Sequence, residues 1–250
     1  MGRRGAAPLI VLVPEGGVSA EQLLELPPDE AHHLRVRRAE PGDQVELRDG
    51  AGLVGEAVLL ESTARHALIR ITASRTMDLP PSLVLFVAAG DKERFGWLVG
   101  KAAELGVTRL VPVETERTAG VSSRVTTAHL ARFRRRALDA VKQSGAPWAP
   151  VVGGVMTFPA AVADGSADGA DAGVRWLADP AGDWPPGAIG TALAGALIGP
   201  EGGFTSRERE TALAAGWAPV RLGAAVLRFE TAAVAAAVAI GIARGRESSG

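Results

Sequence analysis

The hydrophobic pattern divides the chain into two parts of different character. In roughly the first 75 residues, short apolar or alternating runs are separated by Pro, Gly and Asp, which is typical of strands joined by turns. One or two helical turns are expected at 29–37. The predicted strands cover 9–13, 44–48, 53–60 and 66–72. Together they predict a small β-barrel at the amino-terminal end of the chain.

The stretch TMDLPPSL, with Pro80 and Pro81, is interpreted as a linker, and the pattern changes after it. Apolar strands now alternate with helical patterns, which predicts a mostly parallel sheet covered by helices on both faces. The predicted strands cover 83–88, 107–113, 151–155, 174–178, a segment ending at Ile198, and 220–222. The predicted helices cover 93–105, 126–144, a segment that begins at Thr205, and 231–243.

Local signals mark the ends of two of these helices. In the helix at 93–105 the apolar residues share one face, and Gly106 is placed to end it. Thr205 is predicted to cap the helix that follows the one at 126–144. Glu208, three residues further on, completes a capping box. The apolar face of the first helix consists of Phe95, Leu98, Ala102 and Leu105.

One apparent nucleotide motif is excluded by its context. Residues 50–55, GAGLVG, match the spacing G-x-G-x-x-G, which must open a helix in order to receive a pyrophosphate. Here the glycines follow RDG and precede EAVLLE, which has the pattern of a strand. The segment is therefore predicted to be a hairpin turn.

Composition limits the chemistry that the chain can perform. With no cysteine, the chain has neither disulfides nor thiolate metal sites nor a cysteine nucleophile. The four histidines show no metal-ligand spacing, so no metal is expected. Net charge is −1, so any surface that binds nucleic acid must be local. No apolar run approaches the ~18 residues of a membrane helix, and we expect a soluble cytoplasmic protein with no membrane association.

The turn IGPEGGF at 198–204 carries the most specific chemical signal. A phosphate-binding loop needs a Lys after its glycines, and Phe204 stands there instead. Glu201 would repel a polyphosphate, and it is a poor match for the apex of a nucleophile elbow. A second glycine turn, at Gly223, follows about twenty residues later. Two successive loops at the carboxyl ends of parallel strands predict a ligand site for a group that is not anionic at Glu201.

At this point the sequence resembles a known family. IGPEGGFTSRE followed by LGAAVLRFETA resembles the last two motifs of the SPOUT methyltransferases, and in particular of the ribosomal RNA small-subunit methyltransferase E family. Three further segments resemble the same family in the same order. They are HHLRVRRAEPGDQVEL, DKERFGWLVGKAAELGVTRLVPVETERT and ALDAVKQSGAPWAP.

The resemblance implies an α/β protein with two domains. Residues 1–76 would form a PUA-like β-barrel that binds RNA, and residues 80–246 would form a SPOUT methyltransferase domain with a carboxyl-terminal trefoil knot. Members of the family act as homodimers. They use S-adenosylmethionine to methylate N3 of one uridine in small-subunit (16S) rRNA, which for this chain implies rRNA within the small ribosomal subunit as partner.

The resemblance also implies residues for the S-adenosylmethionine pocket. One wall would come from the first glycine turn and the other wall from the second. The sulfonium cation of this ligand suits a turn with a carboxylate, and Glu201 would either contact that cation or brace the loop. The implied residues are Leu197, Gly199, Pro200, Glu201, Gly202, Leu222, Gly223, Val226 and Leu227.

Two residues after the second turn are candidates for the chemistry. A cation near the uracil oxygens would stabilise the anion that develops there, and Arg228 is the first choice for it. Glu230 could orient Arg228 or accept a proton, although both residues could equally form a salt bridge at the helix start. The sequence departs from the family at Ala225, where Arg is usual, and at Phe229, where Thr is usual.

The candidate RNA-binding residues comprise two basic groups and, in addition, Gln143 of the Gln-Ser-Gly segment. A basic run of this kind is compatible with phosphate binding and with a solvated helix face. Two other functions stay open: a SPOUT ribose 2′-O-methyltransferase, and an inactive relative that only binds RNA. The basic residues are Arg35, Arg37 and Arg38 in the barrel and Arg132, Arg134, Arg135 and Arg136 in the long helix.

Overall fold

The computed structural model describes residues 9–63, 65–165, 173–189 and 193–245. The chain forms two compact units. The first comprises Met1–Leu79 and Leu138–Ala149, and the second comprises Pro80–Ala137 and Pro150–Gly250. The segment Leu138–Ala149, which the sequence interpretation assigned to the second domain, therefore groups with the first unit.

The first unit is built on a five-stranded sheet in the order β1-β3-β4-β5-β2. β1 pairs with β3 in parallel, and the other pairs are antiparallel. Two register shifts between β4 and β5 bend the sheet. One short strand, β2, was not predicted. The elements are β1 (Ile10–Leu12), β2 (Leu23–Leu26), α1 (Pro28–Val36), β3 (Gln44–Arg48), β4 (Leu53–Ser62) and β5 (Ala67–Thr76).

The glycine motif of this unit is a turn between the antiparallel strands β3 and β4, as predicted. Gly50 and Gly52 have φ values of 75° and 104°, which L-residues rarely adopt. The indole of Trp148 lies directly over Gly52, and the Ala149 amide donates to the Gly50 carbonyl at 2.8 Å. The glycines therefore allow a tight turn, and they also allow the segment 138–149 to approach that turn closely.

A buried ion pair secures the same segment within the first unit. Glu30 of α1 is only 6% exposed and accepts hydrogen bonds from Lys142 Nζ at 2.8 Å and from the Leu12 amide at 3.2 Å. Because the carboxylate is satisfied on both oxygens, its burial is compensated. Through these two contacts Glu30 joins α1 to β1 and to the segment 138–149.

The second unit is built on a parallel sheet in the order β12-β10-β11-β6-β7-β8, with β9 also paired to β7. Helix α3 contributes residues to both units. The strands are β6 (Leu83–Ala88), β7 (Arg109–Glu114), β8 (Val151–Val152), β9 (Met156–Thr157), β10 (Val174–Asp183), β11 (Ala194–Ile198) and β12 (Ala218–Val220). The helices are α2 (Lys92–Glu104), α3 (Leu130–Ser144), α4 (Phe158–Asp164), α5 (Ser206–Ala214) and α6 (Phe229–Gly245).

The core of this unit lies on both faces of the sheet, and every residue of β6 and β11 is buried. Phe86 and Trp217 meet edge to face, with ring centroids 5.9 Å apart. Gly106 follows α2 with a φ of 69°, as predicted for a helix end. Thr205 and Glu208 form the predicted capping box. Within the described ranges, no helix has both the length and the apolar character needed to cross a bilayer.

Several predicted strand bounds were wrong. β8 ends at Val152 instead of 155, and β5 continues to Thr76 instead of ending at 72. Two further errors fall near the β12 edge of the sheet in the second unit. β12 covers Ala218–Val220 instead of 220–222, because residues 221–223 leave the sheet as a loop. β10 continues past the predicted end at Ala178, with a register shift between Ala178 and Asp183. Elements β9 and α4 were not predicted at all.

Gly52 and Gly42 provide a matched test of the turn in the first unit. Both have positive φ, but a Cβ at Gly42 would meet no atom within 4 Å, whereas one at Gly52 would lie 2.4 Å from Trp148 Cζ2. Gly42→Ala should cost about 1–2 kcal/mol of backbone strain. Gly52→Ala should cost about 1–3 kcal/mol more, because the rigid ring must move. Guanidinium unfolding of both variants measures the difference, and equal losses would contradict this account.

Candidate functional site

A cavity of 310 Å³ lies at the carboxyl ends of β11 and β12, beside the part of β10 where its register shifts. Three stretches of chain form its walls: residues 177–180, 198–204 and 222–227. Parallel strands bring these stretches to one edge of the sheet, which is the usual place for a ligand in an open α/β fold. The walls are Leu177, Ala178, Asp179, Pro180, Ile198, Gly199, Pro200, Glu201, Gly202, Gly203, Phe204, Leu222, Gly223, Ala225, Val226 and Leu227, with Arg209 and Ala232 beside them.

The structure places eight of the nine predicted pocket residues on this cavity. Leu197 is the exception, because its side chain is fully buried in the core of the second unit. Alternation along β11 explains the difference: Ile198 faces the cavity, and its neighbour Leu197 faces the core.

The first glycine turn is held by its own backbone and by a buried carboxylate. Gly203, at a φ of 70°, donates its amide to the Pro200 carbonyl at 2.7 Å. Glu208 is 5% exposed and accepts from the amides of Thr205 and Glu116, both at 2.9 Å. Glu208, the glutamate of the α5 capping box, thus also anchors the loop that follows β7.

Two arginines outside the turn fix its outer side. Arg94 Nη1 donates to Glu201 Oε1 at 2.8 Å, and Arg117 Nη1 donates to the Gly202 carbonyl. The Arg94 contact is consistent with the bracing role predicted for Glu201. Arg94 was missed by the sequence reasoning, although it lies at the start of α2 within a quoted family motif.

The second glycine turn closes tightly on itself. A Cβ at Gly223 would lie 3.1 Å from Leu227 Cδ2, so the glycine lets that side chain fold back over the loop. Val226 is 70% exposed at the cavity rim. Ala225, where the family usually has Arg, is also exposed and lines the cavity.

The residues at the start of α6 have different environments. Arg228 is exposed, whereas Phe229 is 1% exposed with its ring against Gly90. Phe229 is therefore a core residue beside the site. Glu230 is 8% exposed, and its Oε2 makes no hydrogen bond to any described residue.

The cation near Glu230 is Arg94, whose Nε lies 4.0 Å from Glu230 Oε1. Among the described residues, no hydrogen bond or ion pair joins Glu230 to Arg228. The suggestion that Glu230 orients Arg228 therefore has no support in this geometry.

The third wall of the cavity was not predicted. Asp179 lies in β10, directly after Ala178, where the regular pairing of this strand ends. Its carboxylate accepts hydrogen bonds from Arg209 Nε at 2.7 Å and from the Ala181 amide at 2.9 Å. Burial alone would raise the pKa of Asp179, but these hydrogen bonds outweigh it and hold that pKa below its usual value. A carboxylate directly after a predicted strand was the signal that could have identified this residue.

The candidate RNA-binding residues are all exposed, but their environments differ. On α3, Arg132, Arg135 and Arg136 lie on one side of the helix at spacings of three and four residues. Arg132 Nη2 pairs with Glu93 at 3.0 Å. Arg134 lies on the opposite side, and its Nε donates to the Val152 carbonyl at 3.3 Å.

The other candidates belong to the first unit. Arg35, Arg37 and Arg38 lie at the carboxyl end of α1, with Arg38 at a φ of 55°. Gln143 lies in the last turn of α3. The three arginines place exposed positive charge at the carboxyl end of the short helix α1.

Comparison with known proteins gives consistent matches. A family model described as an RNA methyltransferase domain matches residues 77–241, and one described as an RNA methyltransferase PUA domain matches residues 26–72. The chain is 33% identical over 223 residues to the Ribosomal RNA small subunit methyltransferase E of Synechocystis sp., covering 86% of this chain and 73% of that protein. For the Mycobacterium tuberculosis protein of the same name the identity is 32%, covering 86% and 84%.

A solved structure agrees with these matches. The Ribosomal RNA small subunit methyltransferase E from Neisseria gonorrhoeae, bound to S-adenosyl methionine, is 29% identical, with a TM-score of 0.78 and coverage of 93% of this chain and 96% of that chain. The chain therefore belongs to the ribosomal RNA small subunit methyltransferase E family.

Proposed function

We propose that this protein transfers a methyl group from S-adenosylmethionine to N3 of a specific uridine in small-subunit rRNA. The observation that carries the proposal is the cavity formed by the two glycine turns, in a chain whose relatives are named small-subunit rRNA methyltransferases. The Neisseria relative was solved with S-adenosyl methionine bound.

The cavity residues suit this ligand. The volume of 310 Å³ lies at the lower end of the ~300–1,000 Å³ usual for small-molecule sites. Leu222, Val226 and Leu227 supply apolar surface, and the Asp179 and Glu201 carboxylates, which pair with Arg209 and Arg94, lie at the cavity wall. S-adenosylmethionine, when bound, would supply an electrophilic methyl group.

The chain must also prepare the acceptor base. Uracil N3 carries a proton that has to leave, and the base must be unpaired to be reached. Glu230 has a buried carboxylate oxygen with no hydrogen bond from a described residue, which suits the acceptance of that proton. Arg228, which is exposed and directly follows the cavity residue Leu227, would stabilise the negative charge on the uracil oxygens.

RNA would be held by both units. We assign residues 1–76 to a PUA-like RNA-binding barrel and residues 80–246 to a SPOUT domain with a trefoil knot, acting as a homodimer in the cytoplasm. The family match over residues 26–72 supports the first assignment. The exposed arginines of α1 and α3 would bind phosphate groups, in rRNA that belongs to the small ribosomal subunit.

The decisive experiment is nucleoside mass spectrometry of small-subunit rRNA from strains with and without this gene. Loss of a base-methylated uridine, with ribose methylation intact, is the expected result. Loss of a ribose methylation instead would identify a 2′-O-methyltransferase, and an unchanged rRNA would contradict the proposal.

Arg228→Ala should keep the affinity for S-adenosylmethionine and lose turnover by about 10²–10³-fold, because only the developing charge loses its partner. Calorimetry and a methyl-transfer assay measure the two quantities. Arg207→Ala, at an exposed arginine of α5, is the control and should retain turnover. Unchanged turnover in Arg228→Ala would remove this residue from the mechanism.

Glu230→Gln should lower kcat by about 10²–10⁴-fold, since the amide cannot accept the proton. Glu30→Gln is a matched control because Glu30 is similarly buried, belongs to the first unit, and has both carboxylate oxygens satisfied by Lys142 and the Leu12 amide. It should lower the midpoint of thermal unfolding and leave kcat of the folded enzyme unchanged. The reverse pattern would show that Glu230 is structural.

A further inference from the structure

A second cavity, of 510 Å³, adjoins the first within the same unit. The residues 200–202 belong to both cavities, so the first glycine turn forms the partition between them. The other walls come from the start of α2 and from the loop after β7. The lining consists of Gly90, Asp91, Arg94, Arg117, Thr118, Val121, Ser123, Pro200, Glu201 and Gly202.

Four charged side chains face this cavity, two acidic and two basic. The Asp91 carboxylate accepts from the amides of Glu93 and Arg94 as the cap of α2. Glu201 and Arg94 pair with each other at 2.8 Å. Of the two cations, Arg117 is therefore the one whose contacts among the described residues are with backbone carbonyls and not with a carboxylate.

Arg117 is held in place without losing its charge. Its Nη1 donates to the carbonyls of Gly202 and, at 3.3 Å, of Gly203. Carbonyl oxygens orient a guanidinium but do not neutralise it. Among the described residues, no carboxylate lies within ion-pair distance of Arg117, so its guanidinium is a fixed cation to which an anionic group in the cavity can bind.

The cavity also borders the proposed proton acceptor. Arg94, one of its lining residues, has its Nε 4.0 Å from Glu230 Oε1, and Glu230 Oε2 is buried with no hydrogen bond from a described residue. Gly90, another lining residue, contacts the Phe229 ring next to Glu230. A molecule in this cavity would therefore lie beside the donor loop, with Arg94 between it and the Glu230 carboxylate.

We propose that this second cavity, called here the acceptor cavity, receives the target nucleotide of a single-stranded RNA segment, with its phosphodiester group on Arg117. This inference rests on the proposed function, which requires an acceptor next to the methyl donor. A flipped-out pyrimidine nucleotide has an anionic phosphate oxygen that can bind the Arg117 guanidinium. It also has a base that can reach the first glycine turn, which separates the two cavities.

Obstruction of each cavity in turn tests the assignment. Val121 and Val226 are both exposed, and they line the acceptor cavity and the first cavity respectively. Val121→Trp should leave the affinity for S-adenosylmethionine within about two-fold and lower kcat/KM for rRNA about 100-fold, through displacement of the acceptor. Val226→Trp should weaken S-adenosylmethionine binding itself. Ser123→Phe provides a second obstruction of the acceptor cavity if Val121→Trp does not fold.

The substrates for this test are small-subunit rRNA, free and in assembled subunits, from a strain that lacks the gene. If the unaltered protein transfers methyl groups and both acceptor-cavity variants match it, the acceptor cavity is wrong and the proposed function stands. If those variants lose S-adenosylmethionine affinity as Val226→Trp does, the two cavities are one donor site and the inference fails. If the unaltered protein transfers no methyl group, the proposed function fails and the inference fails with it.

The salt dependence of RNA binding tests the contact with phosphate. Arg117→Gln should reduce the slope of log K against log salt concentration by about 0.7, as expected for the loss of one contact to a single strand. Arg109→Gln is the control, because Arg109 pairs with Asp164 at 2.7 Å, at the other end of β7. An unchanged slope in Arg117→Gln would overturn the phosphate assignment.

Discussion

The parallel pairing of β11 with β10 on one side and with β6 on the other determines where the functional residues lie. β11 is short and completely buried, so its register is fixed by packing on both faces. The chain leaves β11 at its carboxyl end, next to the carboxyl end of β12 and the part of β10 where the register shifts. The cavity follows from this arrangement, because the loops after β11 and β12 meet this irregular part of β10 at one edge of the sheet.

The first glycine turn separates the two cavities and contains three glycines. Because glycine loses the most conformational freedom on folding, ordering this turn is entropically unfavourable unless other groups restrict it. The Arg94–Glu201 pair is half-exposed, and such pairs contribute only about 0–1 kcal/mol to stability. The contribution of this pair is to the geometry of the turn. Together with Arg117, it keeps one carboxylate and two backbone carbonyls in fixed positions. The buried capping box at Thr205 supplies the stronger anchor.

Much of this arrangement is readable from local sequence signals. The capping box at Thr205, the helix end at Gly106 and the turn at Gly50 are decided by residues within a few positions of each other, and all three were predicted. The first glycine turn was correctly located because its glycines, Pro200 and Glu201 are adjacent in sequence. Strand β2 and helix α4 were missed because the first is short and mostly exposed and the second is only seven residues long.

The contacts that complete the site depend on tertiary structure. Arg94 is 107 positions from Glu201, and no local pattern indicates that these two side chains meet. Asp179 lines the cavity only because β10 shifts register after Ala178, and a strand pattern does not reveal such a shift. Leu197 was assigned to the pocket through the resemblance, whereas strand alternation, a local rule, already placed it in the core.

The contact between Gly90 and Phe229 restricts how this site can evolve. A Cβ at Gly90 would lie 2.9 Å from Phe229 Cε1, so no larger residue fits at Gly90 while the phenyl ring is present. The ring must shrink before the glycine can change, and the order of the two substitutions is therefore fixed. Lineages that descend from this chain should retain glycine at this position for as long as they retain the aromatic residue.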